Sequence, residues 1–152
     1  MKKSRIVRAS ALIIGLSLVG VACGSDDSSS DDAASSCEGV KIAFFGALTG
    51  DAGNLGVNIK KGLDLAVAEF NEANADCQVG IEAYDSQGDP DQAPALADKA
   101  IADADVLGIV GPAFSGESKA VNGKFDEAGL PIITPSATNA LLSQNGWKIF
   151  HR

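Results

Sequence analysis

The chain has 152 residues, of which 12 are basic and 20 acidic, giving a net charge of −8. So acidic a surface repels phosphate backbones and argues against nucleic acid as a partner. One His and three Cys, with no C-x-x-C and no Cys/His spacing, argue against a zinc site.

Met1 to Arg8 holds Lys2, Lys3, Arg5 and Arg8 and no acid, and an apolar run extends from Ala11 to Val21. A basic start before a short apolar run is the plan of a secretory signal peptide, here residues 1–22. The run falls short of the roughly 20 apolar residues that a bilayer span needs. It ends in Gly20-Val21-Ala22-Cys23, where two readings stand. One is cleavage after Ala22, set by the small residues Gly20 and Ala22. The other is lipidation of Cys23, because the segment resembles bacterial lipoprotein signals, with Gly20 where those usually carry Leu.

The stretch after Cys23 favours the lipid. Gly24 to Ser36 reads GSDDSSSDDAASS, an acidic run that cannot bury a core. As a flexible tether, residues 23–36 would reach about 20 Å root-mean-square. The expectation is an exported chain, anchored by lipid on the outer face of the cell membrane. Without residues 1–22 the chain carries 8 basic and 20 acidic residues, net −12, four of the acids in the tether. With Cys23 on the lipid, Cys37 and Cys77 remain as an even pair in an oxidising compartment. A bridge between them would close a loop of about 40 residues, worth roughly 4 kcal/mol in the chain-entropy picture. The alternative is two unpaired thiols.

From Cys37 onward about 115 residues remain, enough for one modest core. Val40 to Phe45 is an apolar run that suits a buried strand. Ile59 to Asn71 places Ile59, Leu63, Ala66, Val67 and Phe70 on one face of a helix. Val79 to Tyr84 reads as a second strand. Asp89-Pro90-Asp91-Gln92 resembles a helix start, although Pro94 argues for a start two residues later. Leu96, Ala97, Ala100 and Ile101 form that helix's buried stripe. Val106 to Val110 is a third strand. A helix from about Glu117 to Ala128 turns Val121, Phe125 and Ala128 inward, with Gly129 as its C-cap. Pro131 to Thr134 is a fourth strand, a short helix comes next at Ala140 to Ser143, and a fifth strand lies near Lys148 to His151.

Strand and helix alternate at a spacing that means an α/β fold, a parallel, doubly wound sheet with helices on both faces. Ligands of such sheets bind outside the carboxyl ends of the strands. The useful residues are therefore expected in four loops: Gly46 to Gly56, Asp85 to Asp89, Gly111 to Ser118 and Thr134 to Asn139. Gly111 to Ser118 leads from a strand into a helix, where Ser115 or Ser118 could cap and free N–H groups attract a carboxylate. Pro135 to Asn139 offers hydroxyls beside it. Ser and Thr at such places are also ordinary helix caps. The glycines at 46, 50, 53 and 56 match neither G-x-G-x-x-G nor a P-loop, so the first loop reads as a flexible cleft edge.

The succession FFGALTGDAGNLG, GLDLAVAEFN, YDSQGDPDQA, IVGPAFSGES and GLPIITPSATN resembles the periplasmic-type binding proteins that serve ABC importers of branched-chain amino acids. The similarity runs from about Val40 to Arg152. It implies the first lobe of a two-lobed, type 1 periplasmic-binding-protein fold, residues 37–152, closing on a ligand at an interlobe cleft. It implies a small amino acid as ligand and permease subunits as partners, with no cofactor. Ser115 stands where the family holds the ligand carboxylate through a Ser hydroxyl and N–H. Ser136, Ala137 and Thr138 stand where it touches the amino acid through backbone groups and a Thr hydroxyl. Leu55 takes the place of an aromatic residue that stacks on the ligand in some members. Gly88 and Phe114 take the places of a Cys pair found in some members. Family members are more than twice as long, and their second lobe usually supplies the acid that meets the ligand ammonium. A 152-residue chain alone is expected to bind weakly.

An enzyme is the rival class. His151 has no second His to work with, and Ser115 lacks a G-x-S-x-G elbow. Asp85 and Asp89 could be drawn as a carboxylate pair, but strand-end acids and helix caps explain them more simply. A ligand-sensing lipoprotein, or an amide- or urea-binding relative of the same fold, is the alternative to an importer subunit.

Overall fold

The computed structural model describes residues 37–152. The expected signal segment 1–22, Cys23 and the tether 23–36 lie outside the described residues.

Five strands form one parallel sheet: β1 (Lys41–Gly46), β2 (Gly80–Asp85), β3 (Val106–Val110), β4 (Ile132–Ile133) and β5 (Phe150–His151). Their order is β2-β1-β3-β4-β5. Parallel neighbours need a crossover, and the helices supply it: α1 (Gly53–Ala73), α2 (Ala93–Ala102), α3 (Ser115–Ala128) and a short 3₁₀ helix, Ala140–Gln144. The winding reverses between β1 and β3, which makes the crevice at their carboxyl ends the place where such sheets take ligands.

Alternation along the strands decides the core. Ala43 and Phe45 share a face with Ile109 and Ile132 through the pairings of β1 with β3 and β3 with β4. Against that face pack Ala93, Ala97 and Ala100 of α2 and Val121 and Phe125 of α3, all fully buried. Small alanines let α2 approach closely, and Phe125 fills the remaining depth. Its ring meets Phe45 edge-on, centroids 5.8 Å apart. On the opposite face α1 lies against β1 and β2 and buries Leu63, while Ile133 of β4 remains 58% exposed.

Several boundaries move. α1 starts at Gly53, six residues before the expected Ile59, and Ala66 and Phe70, expected inward, are exposed. α2 starts at Ala93, which puts Pro94 in the first turn, where its missing N–H costs nothing. α3 starts at Ser115 rather than Glu117, and Ala128 faces solvent. Gly129 ends α3 in the left-handed conformation at φ 69°, as expected of its C-cap.

The amino ends of β1 and β2 are fastened together. Cys37 and Cys77 lie in disulfide geometry with Cα atoms 4.7 Å apart, and Gly80 N–H donates to Val40 O at 2.8 Å. Lys41 meets Asp103 at 3.0 Å and Asp105 at 3.6 Å at the same end. Among the described residues no helix is long and apolar enough to cross a membrane.

Candidate functional site

The carboxyl ends of the strands carry four loops, and their hydrogen bonds show which of them form one surface. After β1, Leu48 N–H and Thr49 N–H donate to Asp85 Oδ1 at 2.8 and 3.3 Å. Thr49 Oγ1 donates to Asp85 Oδ2 at 2.6 Å, and Gln87 N–H to Oδ1 at 3.0 Å. Asp85 therefore binds the first loop to the second. Burial alone would raise its carboxyl, but the donors Thr49, Leu48 and Gln87 outweigh this and hold it below the ordinary carboxylate value. Asp89 accepts from Asp91 N–H at 2.8 Å and from the Gln92 amide at 3.2 Å, the turn-making role of a loop acid. Both acids are thus engaged by donors of the loops.

The first loop is less free than its glycines suggest. α1 crosses Ala47 so closely that a Cβ on Gly56 would stand 1.6 Å from the Ala47 carbonyl oxygen. Leu55 sits on the first turn of α1 and is half exposed.

The third and fourth loops are sewn to each other. Gly111, at φ 141°, passes Phe45 where a Cβ would lie 2.2 Å from the Phe45 carbonyl oxygen. Ala113 N–H then donates to that same oxygen at 3.0 Å. From the fourth loop, Thr134 Oγ1 donates to Pro112 O at 2.6 Å and accepts Ala137 N–H at 3.0 Å. Ser136 Oγ donates to Ala113 O at 2.9 Å. Asn139 N–H donates to Ser115 Oγ at 3.1 Å.

These bonds sort the residues expected from sequence. Ser115 Oγ accepts from Asn139, which leaves its proton free to donate. It does not cap α3; neither does Ser118, whose buried hydroxyl has no protein partner. Ser136 has its hydroxyl proton engaged, and Ala137, buried, has its N–H engaged. Thr138 is exposed with its hydroxyl unengaged among the described residues. Thr134, Pro135, Ser136, Ala137 and Thr138 line an open hollow of about 330 Å³. The residue completing it is Arg152, whose Nη1 donates to Asn139 O at 3.2 Å. Nothing in the local pattern points to Arg152, because it is the pairing of β5 with β4 that brings it beside the fourth loop.

Glu117 is a second residue that the motifs along the chain do not single out for the site. It is fully buried, accepting from Ser86 Oγ through Oε1 and from Phe114 N–H through Oε2 at 2.9 Å. Burial pushes its carboxyl above the ordinary value; the bonds from Ser86 and Phe114 oppose this in part, and Asp85 nearby adds to the rise. The signal for it is present all the same: a Glu at the third position of a helix reaches back to the cap N–H. Helix geometry leaves the N–H groups of Ser115, Gly116 and Glu117 without a backbone partner, pointing out of the start of α3. The surface thus offers hydroxyl and N–H donors and one guanidinium, a set suited to an anion. Among the described residues, no group of three or more His, Cys, Asp or Glu is placed to hold a metal.

The periplasmic binding protein family model matches residues 39–151. The leucine-, isoleucine-, valine-, threonine- and alanine-binding protein of Pseudomonas aeruginosa is 31% identical over 115 residues, covering 74% of this chain and 31% of that protein. A branched-chain amino acid transporter substrate-binding protein of Streptococcus pneumoniae, solved with isoleucine, superposes with a TM-score of 0.67. It has 30% identity over 73% of this chain and 32% of its own. A solute-binding protein of R. palustris, solved with 4-hydroxybenzoate, gives a TM-score of 0.61 at 27% identity, over 69% of this chain and 29% of its own. The chain thus spans about a third of the length of these proteins, the part that carries β1 to β5. On the match over residues 39–151 and the shared parallel fold, the chain belongs to the periplasmic binding protein family.

Proposed function

We propose that this chain is the first lobe of an extracytoplasmic solute-binding protein that captures a small amino acid, branched-chain in type, for an ABC importer. The observation that carries the reading is the bonding of the third and fourth loops to each other, beside an open hollow lined by residues 134–138 and Arg152. On these two loops Ser115, Thr138 and the start of α3 present donors with no acceptor of their own. A carboxylate supplies what that surface lacks. The two relatives solved with isoleucine and with 4-hydroxybenzoate hold ligands that share a carboxylate and differ elsewhere.

In this reading Ser115 gives its hydroxyl and N–H to the carboxylate, and Thr138 and the backbone of Ser136 and Ala137 meet the rest of the head group. Leu55 meets the side chain across the cleft. The lobe binds and releases without chemistry, so no catalytic residue is assigned. The 152-residue chain alone binds weakly, because closure by a second lobe is needed to desolvate the ligand. Cys37 and Cys77 form a bridge in an oxidising compartment. Residues 1–22 direct export, and Cys23 carries the lipid that holds the protein outside the membrane beside its permease.

The test is calorimetric titration of the longest product the gene encodes with leucine, isoleucine, valine, glutamate, urea and acetamide. Saturable micromolar binding of an aliphatic amino acid, removed by Ser115→Ala with Thr138→Ala, is expected. Binding of urea or acetamide alone would keep the fold and overturn the ligand, and binding unaffected by the double substitution would overturn the site.

A further inference from the structure

Among the described residues, Glu117 carries the one fully buried carboxyl group near the ligand loops. It belongs to none of the roles above. Its position is unusual for what surrounds it. One oxygen accepts from Ser86, in the loop after β2, and the other accepts the N–H of Phe114, in the loop after β3. Ser86 in turn accepts Gly88 N–H at 3.1 Å. One side chain therefore joins the second loop to the first turn of α3, immediately beside Ser115. No cation among the described residues meets it. The charged group acting on it is Asp85 at the end of β2, already committed to Leu48, Thr49 and Gln87. Asp89 in the same loop is turned to Asp91 and Gln92, and Lys119 on α3 is exposed. On α2, Asp98 pairs with Lys124 and Lys99 is exposed. The segment 134–145 contains no ionisable side chain.

We propose that Glu117 is the positioning residue of the ligand loop, and that its charge governs how that loop receives an anionic ligand end. The inference rests on the reading of Ser115 as a carboxylate donor. An ionised Glu117 occupies the favourable field at the start of α3 and repels a second carboxylate brought to the neighbouring N–H groups of Ser115 and Gly116. A neutral Glu117 keeps both contacts, since a protonated carboxyl can still accept from Phe114 and donate to Ser86. A ligand carboxylate therefore raises the proton affinity of Glu117, and binding takes up a proton. Affinity for the ligand rises as pH falls through the range in which Glu117 titrates.

The experiment compares the longest gene product with its Glu117→Gln and Glu117→Ala variants, using leucine as the probe between mildly acidic and neutral pH. Leucine keeps both its charges across that range. Wild-type affinity is expected to strengthen with falling pH, by at most about tenfold per unit for a single linked proton. Glu117→Gln, which keeps an oxygen for Phe114 and an amide for Ser86, is expected to be flat within about twofold. Amide hydrogen exchange without ligand provides the second readout. The 111–118 amides exchange faster in Glu117→Ala and at the wild-type rate in Glu117→Gln. Parallel pH profiles in wild type and Glu117→Gln would overturn the role of the charge. Unchanged exchange in Glu117→Ala would overturn the positioning role. If the wild type binds no amino acid at any pH, the amino-acid reading falls and takes the charge role with it, while exchange still decides the positioning.

Discussion

The backbone N–H of Asn139 donates to the Ser115 hydroxyl oxygen at 3.1 Å, across 24 residues of chain. That one bond sets the direction of the Ser115 proton and ties the fourth loop to the start of α3.

Ser115→Ala removes an acceptor for Asn139 and a donor for the ligand together. The loss of a hydrogen bond to a charged group is worth about 1.5–3 kcal/mol. Leucine binding to the longest gene product is expected to weaken by roughly ten- to a hundredfold by calorimetry. Ser115→Thr keeps the hydroxyl and should recover part of the loss.

Thr134 holds two loops from a buried position. Its hydroxyl donates to Pro112 O and accepts Ala137 N–H. Thr134→Val is close in shape and leaves both partners unsatisfied. A loss of about 1–3 kcal/mol is expected in urea unfolding, against almost none for Thr138→Val, whose side chain is exposed.

Ser118 buries a hydroxyl with no protein partner on α3. Ser118→Ala removes that polar group and improves the helix propensity of the site. The variant should be more stable by about 1 kcal/mol, read as a rise in melting temperature. A fall in melting temperature would show that the hydroxyl is satisfied in solution.

Asp85 makes the first loop sensitive to acid. Its carboxyl lies below the ordinary value in the folded chain, because the bonds from Thr49, Leu48 and Gln87 outweigh burial. Its contribution to stability is complete above the ordinary carboxylate range and is lost as pH falls through the folded value. Asp85→Asn should unfold more readily at neutral pH and show a flatter stability profile on the acid side. Equal slopes for the two proteins would place the acid sensitivity elsewhere.

The Cys37–Cys77 pair spans 40 residues. Reduction, or Cys37→Ser with Cys77→Ser, is expected to lower stability by about 2–4 kcal/mol in denaturant. An unchanged midpoint after treatment with a thiol reductant would show that no bridge was present.

The sheet is legible in the sequence because its strands are short apolar runs ended by turn residues. The 40–45 and 106–110 segments need no tertiary information, and Gly129 marks the end of α3 by chemistry that only a left-handed residue meets easily. The start of α1 is not legible. Asp51 to Gly56 reads as a loop by propensity, yet Gly53 and Gly56 are there to let the helix pass Leu48 and Ala47. That requirement comes from packing, not from local preference. The same distinction divides the site. Ser115, Ser136, Ala137 and Thr138 lie where a strand-end argument places them. Arg152 and the Ser86 contact of Glu117 join residues far apart in sequence, and no pattern along the chain announces them. The inward face of α3 misleads in a third way. Ser118 and Asn122 are buried while Ala128 is exposed, so the buried side of the helix is in part polar.

The pairing of Cys37 with Cys77 has a mechanical side. A force applied to the chain ahead of Cys37 would, without the bridge, act on the end of β1 alone and open its hydrogen bonds to β2 and β3 one after another. With the bridge it enters the sheet at two neighbouring strands at once. The two strands are then drawn together, so the ladder from Lys41–Gly80 to Gly46–Asp85 is not pulled apart and the load passes to the pairing of β1 with β3. A pull at the leading end of the domain would then have to move β1 and β2 as a pair.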